Sequence, residues 1–196
     1  VATLLATALG TVAALGLSRP HMPFKAVLMA ILISPMIVPL IITAAGMFFF
    51  YSKIGLTHSY LGLILAHTAL GTPFVVITVT ATLTGFDTNL IRASQSLGAD
   101  TMRTFFKIIM PLILPGVISG GLFAFITSFD EVVVVMFIGS VEQITIPKQM
   151  WAGLRQETSP VILCMATCLV ALSIGLLTTV EMLRRRSERL RGIKQR

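Results

Sequence analysis

Long stretches of apolar residues are the feature that most constrains how this chain can fold. No charged residue occurs between Ala26 and Ser52, and about 20 apolar residues are enough for a helix to cross a bilayer. Further apolar runs extend over Tyr60–Gly85, Ile108–Gly139 and Val161–Leu183, and their only Asp, Glu, Lys or Arg residues are Asp130, Glu131 and Glu181. Only 12% of the residues are charged, against roughly 25% in a soluble domain. The sequence therefore predicts an all-α fold, a polytopic transmembrane helical bundle.

The first residues, Val1–Leu17, form another uncharged run. No basic segment precedes them, so we interpret them as the end of a transmembrane helix rather than as a signal sequence. Because the chain opens inside an apolar run, we expect further sequence upstream. The predicted organisation is a transmembrane domain at residues 1–183, with a loop at 86–107 and an outer loop at 140–160, followed by a basic tail at 184–196.

Positive charges are distributed unequally between the two predicted sides of the membrane. With five spans and the first running inward, twelve Lys and Arg residues fall on the inner side and three on the outer side. The inner residues are Arg19, Lys25, Arg92, Arg103, Lys107, Arg184, Arg185, Arg186, Arg189, Arg191, Lys194 and Arg196, and the outer ones are Lys53, Lys148 and Arg155. This asymmetry satisfies the positive-inside rule and places the loop at 86–107 and the C-terminus in the cytoplasm. We interpret the basic tail as an anchor at anionic membrane lipid rather than as a nucleic-acid site.

Residues 90–116 form a polar, basic island between two of the apolar runs. Leu90–Leu97 has the spacing of about two helical turns with one small apolar face. Gly98 follows where the end of a helix favours a positive φ, and Asp100 is a suitable N-cap for a second segment over Thr101–Lys107. The pattern predicts a helix, a glycine turn and a second helix. In composition alone, the island is typical of an ordinary cytoplasmic loop.

The spacing of this island resembles the EAA loop of ABC importer permeases. In that loop Glu-Ala-Ala is followed after three residues by Gly and after nine more by Ile-x-Leu-Pro. Here Ala93, Gly98, Ile108 and Pro111 occupy the matching positions at the same spacing. Arg92 stands where the family often has Glu. The resemblance identifies the island as a cytoplasmic coupling loop.

Two further stretches, Ser128–Val135 and Thr145–Arg155, resemble sequences typical of the spermidine/putrescine subfamily. The chain as a whole is similar to the permease subunit of a binding-protein-dependent, type I ABC importer. The resemblance implies six spans, of which five are visible, and alternating access for a small cationic solute in the bacterial inner membrane. It also implies a second permease subunit, two cytoplasmic ATPase subunits that use ATP and Mg²⁺, and a periplasmic solute-binding protein. On this chain itself no cofactor and no metal is expected.

The resemblance assigns the contact with the ATPase to the coupling loop. The coupling residues that it implies are Arg92, Ala93, Ser94, Gly98, Ala99, Asp100, Met102, Arg103, Phe105 and Pro111. Of these, Gly98 and Asp100 are expected to shape the loop. The residues expected to touch the ATPase are Arg92, Met102, Arg103 and Phe105.

Asp130 and Glu131 interrupt an apolar run and form the second candidate site. Ionisable residues within a span are costly and commonly functional, so one interpretation places them on a cation-attracting path. Trp151 of the outer loop, in a short helix that follows Pro147, is the third residue assigned to that path. The other interpretation ends the helix near Phe129 and leaves both acids in water or capping the next segment. The sequence leaves both open.

A stripe of small residues, each four apart, precedes these acids. Its members are Gly116, Gly120, Ala124 and Ser128. Such a stripe permits close approach of another helix, either within the same chain or between subunits. Three further residues in the spans, His67, Cys164 and Cys168, are interpreted as packing residues.

Several catalytic motifs are missing from the sequence. It contains no G-x-x-x-x-G-K-[ST] phosphate loop, no H-E-x-x-H and no G-x-S-x-G. The chain is therefore not expected to be an enzyme, and no residue is assigned a catalytic role. An alternative function is a secondary transporter or channel subunit in which Asp130 or Glu131 relays an ion or a proton.

Overall fold

The computed structural model describes residues 1–19, 22–85, 87, 89–156 and 160–190. In this part of the chain the secondary structure is helical, without a strand. The helices are α1 (Ala2–Leu17), α2 (Lys25–Ile37), α3 (Leu40–Ile54), α4 (Tyr60–Thr84), α5 (Asn89–Ser96), α6 (Thr101–Thr104), α7 (Met110–Phe129), α8 (Val133–Ile138), α9 (Ile146–Gln156) and α10 (Pro160–Leu190), with a π-helical turn at Phe105–Ile109. The prediction of an all-α bundle is confirmed.

Three helical stretches of the described residues are long and apolar enough to cross a membrane: Tyr60–Thr84, Thr101–Phe129 and Pro160–Thr179. The pair α2 and α3 makes a fourth if the two helices together form one span. Helix α1 is apolar but has 16 residues, fewer than the roughly 20 that a full crossing needs.

Helices α1, α4 and α7 form the centre of the molecule. Gly10 of α1 lies against Val75 of α4, and Ala6 lies against Gly71. In these pairs a higher residue number in α1 goes with a higher number in α4, so the two helices run in the same direction. The topology inferred from the charges predicts the same direction for both. The core shared by α1, α4 and α7 contains the buried side chains of Ala6, Ala14, Val75, Val79, Ile113 and Ala124.

The small-residue stripe of α7 packs against α4 of the same chain. The contacting pairs are Gly116 with Thr78 and Thr82, Gly120 with Val75 and Thr78, Ala124 with Gly71, and Ser128 with His67. In these pairs the residue numbers of α4 decrease as those of α7 increase, so the two helices are antiparallel. Of the two alternatives that the sequence left open, packing within the chain is the one found.

The predicted span over Ala26–Ser52 is divided into two helices, α2 and α3, which meet at an angle of 105°. Val38 is extended, with φ −70° and ψ 136°, and Pro39 follows it. The ring of a proline keeps the preceding residue out of the helical region, and proline itself has no N–H to continue a helix. The prolines predicted a bend, and the structure shows a sharp elbow.

The apolar run Ile108–Gly139 is not one continuous helix, in agreement with the sequence interpretation that ends the helix near Phe129. Helix α7 ends at Phe129, and the short helix α8 begins only at Val133. Helix α8 packs on α3 and α4 through a second core cluster, whose buried members are Ala44, Tyr51, Leu63, Ala66, Leu70, Val134, Val135 and Ile138. The break at residues 130–132 therefore lies between two packed helices.

Helix α10 continues to Leu190, beyond Leu183, where the last span was predicted to end. The most apolar part of α10 is not buried by the rest of the described chain. Cys164 and Cys168 are free and exposed on it, so the predicted packing role was wrong within this chain. Three of the tail cations, Arg191, Lys194 and Arg196, lie outside the described residues, as do Phe86 and Thr88 of the predicted loop at 86–107.

Candidate functional site

The coupling loop has the local shape that the sequence predicts. Helix α5 ends at Ser96, and Gly98 has a φ of +80°, in the left-handed region that glycine adopts at little cost. The carboxylate of Asp100 accepts a 2.7 Å hydrogen bond from the backbone N–H of Arg103. Asp100 is therefore the N-cap of α6, and the predicted helix–glycine–helix shape is confirmed.

A buried contact between hydroxyl groups joins the two short helices of the coupling loop. Ser94 Oγ of α5 and Thr104 Oγ1 of α6 are 2.9 Å apart. The backbone N–H of Ala99 also donates to the carbonyl oxygen of Ser94 at 3.0 Å. No local pattern predicts the Ser94–Thr104 bond, which makes α5, the turn and α6 one unit.

The predicted second segment, Thr101–Lys107, is α-helical only to Thr104 and continues as a π-helical turn into α7. In this turn the N–H of Met110 donates to the carbonyl oxygen of Phe105. Pro111 follows and has no N–H. In a regular α-helix the carbonyl oxygen of Lys107 would therefore have no backbone donor. The wider turn accommodates the proline, so α6 and α7 form one continuous rod.

The coupling loop presents apolar and basic side chains together at its surface. Leu97 is 88% exposed and Met102 is 64% exposed. Arg92, Arg103 and Lys107 are exposed beside them. The apolar face predicted for α5 consists of Leu90, Ala93, Ser94 and Leu97, and of these only Ser94 is buried. Apolar residues ringed by charges are typical of a surface that binds another protein.

The remaining predicted coupling residues differ in exposure. Ala93 is exposed, whereas Ala99 and Phe105 are half-buried, and Pro111 is exposed on the first turn of α7. Phe105 packs edge-on against Phe106, with ring centroids 5.0 Å apart. Phe106, which was not among the predicted residues, is the more exposed of the two rings.

The two acids at the end of α7 have different environments. The Oε1 atom of Glu131 accepts from the N–H of Val134 at 2.7 Å, and its Oε2 accepts from the N–H of Val135 at 3.2 Å. Glu131 thus caps α8, where a negative charge is favoured by the helix dipole. Asp130 is exposed, so the interpretation that ends the helix near Phe129 is the one found. The cation-attracting path stays a prediction.

A cavity of about 910 Å³ brings together Asp130, Glu131 and Trp151, the three residues that the sequence assigned to a solute path. Sequence reasoning missed the rest of its lining. The wall also includes Phe74 of α4, Met136 and Phe137 of α8, and residues 35–41 at the α2–α3 elbow. The walls are therefore mainly apolar and aromatic, and the two acids, Asp130 and Glu131, lie side by side in one part of the wall.

His67 of α4 lies close to Glu131, the buried one of the two acids. Its Nδ1 is 2.9 Å from Ser128 Oγ, and its Nε2 is 3.9 Å from Oε2 of Glu131. Only 10% of the His67 side chain and 3% of the Glu131 side chain are exposed. His67 and Ser128 also line a second cavity, of about 610 Å³, which does not include either acid. The prediction of a packing histidine with satisfied partners fits these contacts.

The outer loop is organised around a lysine. The Nζ atom of Lys148 donates to the carbonyl oxygens of Ser140 at 2.7 Å and Gln143 at 3.2 Å. Helix α9 starts one residue before Pro147 and carries Trp151, as predicted for a short helix in this loop. These bonds hold α9 where Trp151 reaches the larger cavity.

Comparison with known proteins gives consistent results. The family described as "Binding-protein-dependent transport system inner membrane component" matches residues 6–189. The spermidine/putrescine transport system permease protein PotC of Haemophilus influenzae is 31% identical over 186 residues, which cover 95% of this chain and 72% of the relative. PotC of Escherichia coli K12 is 29% identical over 180 residues, covering 92% of this chain and 68% of the relative.

Two further matches extend this result. The putrescine transport system permease protein PotI of Escherichia coli K12 is 28% identical over 172 residues, covering 83% of this chain and 60% of the relative. Among solved structures, an inward-facing MetNI methionine ABC transporter matches with a TM-score of 0.76 and 19% identity. That match covers 95% of this chain and 89% of the other, and it shows the fold.

Proposed function

Because the chain belongs to the family of inner membrane components of binding-protein-dependent transport systems, we propose that it is a permease subunit that moves a small organic cation through an ATP-driven importer. The observation that carries this proposal is the coupling loop, a helix–glycine–helix unit with exposed Leu97 and Met102 among basic residues. Two partner ATPase subunits bind ATP and Mg²⁺, since this sequence has no phosphate-binding loop.

The mechanism that we propose is alternating access driven through the coupling loop. ATP closes the ATPase dimer, and the seated loop carries that motion into the membrane. Helix α6 is continuous with α7, which packs along α4 and ends beside Asp130. Movement of the loop therefore reaches the cavity through one rod. ATP shifts the equilibrium because the ATPases contact the loop differently in the two states.

The proposed solute is a polyamine such as spermidine or putrescine. The exposed carboxylate of Asp130 stands in a cavity with the aromatic rings of Phe74, Phe137 and Trp151. A carboxylate attracts an ammonium group, and aromatic faces bind cations by cation–π interaction. The relatives named as spermidine/putrescine and putrescine permeases support the same class of solute.

The proposed assembly contains a second permease subunit and a periplasmic solute-binding protein in addition to the ATPases. We propose that the chain is multi-pass in the bacterial inner membrane with its C-terminus in the cytoplasm. The excess of positive charges on the side of the coupling loop supports this orientation. The uncovered apolar surface of α10 suits lipid or the second permease, and its basic end suits anionic head groups.

Replacing Asp130 with Asn tests the solute assignment. The change removes the exposed negative charge of the cavity and keeps the shape of the side chain. We expect the apparent KM for uptake of radiolabelled spermidine to rise about tenfold, as for loss of one charge-assisted contact. The matched control is Glu142→Gln, which removes an exposed acid that does not line this cavity. An unchanged KM in Asp130→Asn contradicts the assignment.

A further inference from the structure

His67 contacts both sides of the break between α7 and α8. One nitrogen of its ring faces Ser128, in the last turn of α7, and the other faces Glu131, which caps α8. The exposed Asp130 lies in the backbone between these two partners. The imidazole is therefore placed where it can control the geometry of the break.

The contacts favour one arrangement of protons. Both oxygens of Glu131 already accept hydrogen bonds from the first N–H groups of α8, so the carboxylate requires a donor rather than an acceptor on its other side. Nε2 of His67 supplies this donor when the Ser128 hydroxyl donates to Nδ1. At 3.9 Å the Nε2–Oε2 contact is electrostatic rather than a full hydrogen bond.

We propose that His67 is a positioning residue for solute binding. Its Nε2–H holds the Glu131 carboxylate over the first turn of α8, and this fixes the break so that Asp130 faces the larger cavity. His67 itself does not line that cavity and does not touch the solute. The inference rests on the proposed function, because Asp130 is taken as the residue that meets the solute.

Asparagine and glutamine at position 67 separate this role from simple packing. The amide nitrogen of Asn takes the place of Nδ1 and reaches Ser128 but not Glu131. The amide nitrogen of Gln takes the place of Nε2 and restores a donor toward Glu131. Both replacements are neutral and polar, so a difference between them reports the contact with Glu131.

The first experiment does not depend on the identity of the solute. In the complete importer, with Cys164 and Cys168 replaced by Ser, Asp130→Cys is labelled with a cationic and an anionic methanethiosulfonate of similar size. The ratio of the two rates reports the negative potential of Glu131 at position 130. We expect His67→Gln to keep this ratio within about twofold and His67→Asn to lower it about threefold or more. The Glu131→Gln variant is the reference: it gives the ratio of the two labelling rates when position 131 carries no negative charge.

The second experiment measures uptake of radiolabelled spermidine by the importer with Asp130 and both cysteines intact. We expect His67→Asn to raise the apparent KM about fivefold with little change in maximal rate, and His67→Gln to restore the KM. Equal thiol ratios for His, Asn and Gln overturn the inference. If the original chain shows no spermidine uptake but the thiol ratios differ as expected, the proposed solute is wrong and the positioning role stands.

A third variant, Ser128→Ala, tests the same contact if the His67 variants fail to fold. Ser128→Ala removes the hydroxyl group that orients the imidazole and leaves an alanine, which fits a stripe of small residues. We expect the same direction of change in the thiol ratio, with a smaller amplitude than for His67→Asn. An unchanged ratio in Ser128→Ala also overturns the inference.

Discussion

Replacing Gly98 with Val is expected to release the ATPase subunits and to lower ATP-driven uptake by about tenfold or more. Gly98 has a φ of +80°, a conformation that a β-branched residue adopts only with strain. The strain turns α6 away from α5, and the surface of Leu97 and Met102 then no longer matches its partner. The measurement is co-purification of ATPase activity with the tagged permease in detergent, followed by uptake in vesicles.

Gly98→Asn is the matched control for this change. Asparagine tolerates the left-handed region better than any β-branched residue, and a Cβ at position 98 meets no atom within 4 Å. The conformation of the turn, rather than the space around it, therefore decides the outcome. We expect Gly98→Asn to keep most of the ATPase and the uptake. Equal behaviour of the Val and Asn variants contradicts the role assigned to this turn.

Replacing Gly120 with Leu is expected to destabilise the permease strongly. A Cβ at this position lies 2.8 Å from Cα of Val75 and also clashes with Thr78 Oγ1. The obstacle is the backbone of α4, which cannot move aside as a flexible side chain can. Separating α4 from α7 opens the central packing, with an expected cost of about 3 kcal/mol or more. Loss of the monodisperse peak in size-exclusion chromatography, with a lower thermal midpoint, is the expected result.

Gly46→Leu provides the matched control for the α4–α7 contact. Gly46 lies in α3, and a Cβ there meets no atom within 4 Å. Leucine also has a better helix propensity than glycine, so this variant should fold at least as well as the original chain. A Gly120→Leu variant with the elution and the thermal midpoint of Gly46→Leu contradicts the close α4–α7 packing.

Local features of the coupling loop were predictable because each depends on a few neighbouring residues. A glycine directly after a two-turn helix predicts a positive φ, and Asp100 three residues before Arg103 predicts the cap that the structure shows. The spacing from Ala93 to Pro111 identified the loop. The exposure of Leu97 was not predictable, because periodicity shows which residues share a face but not whether this chain covers it.

The breaks in the spans were not predictable from hydropathy. The run around Asp130 is apolar on both sides, so hydropathy does not decide whether the helix ends near Phe129, and the cap that Glu131 forms on the next helix decides it. The buried partner of Glu131 is His67, 64 residues earlier in the chain, and no local pattern contains that contact. At the α2–α3 elbow, Pro39 predicts a bend, but packing of α3 on α8 fixes its size.

In the proposed mechanism ATP, rather than an ion gradient, drives this permease. The most direct measurement is radiolabelled spermidine uptake into proteoliposomes that contain the importer purified through a tag on this chain, with its binding protein outside. We predict uptake that requires ATP and Mg²⁺ inside and that continues when a protonophore removes the proton gradient. Uptake by this chain without ATPase subunits, driven by an imposed proton gradient, would contradict the account and indicate a secondary transporter with Asp130 or Glu131 as the relay.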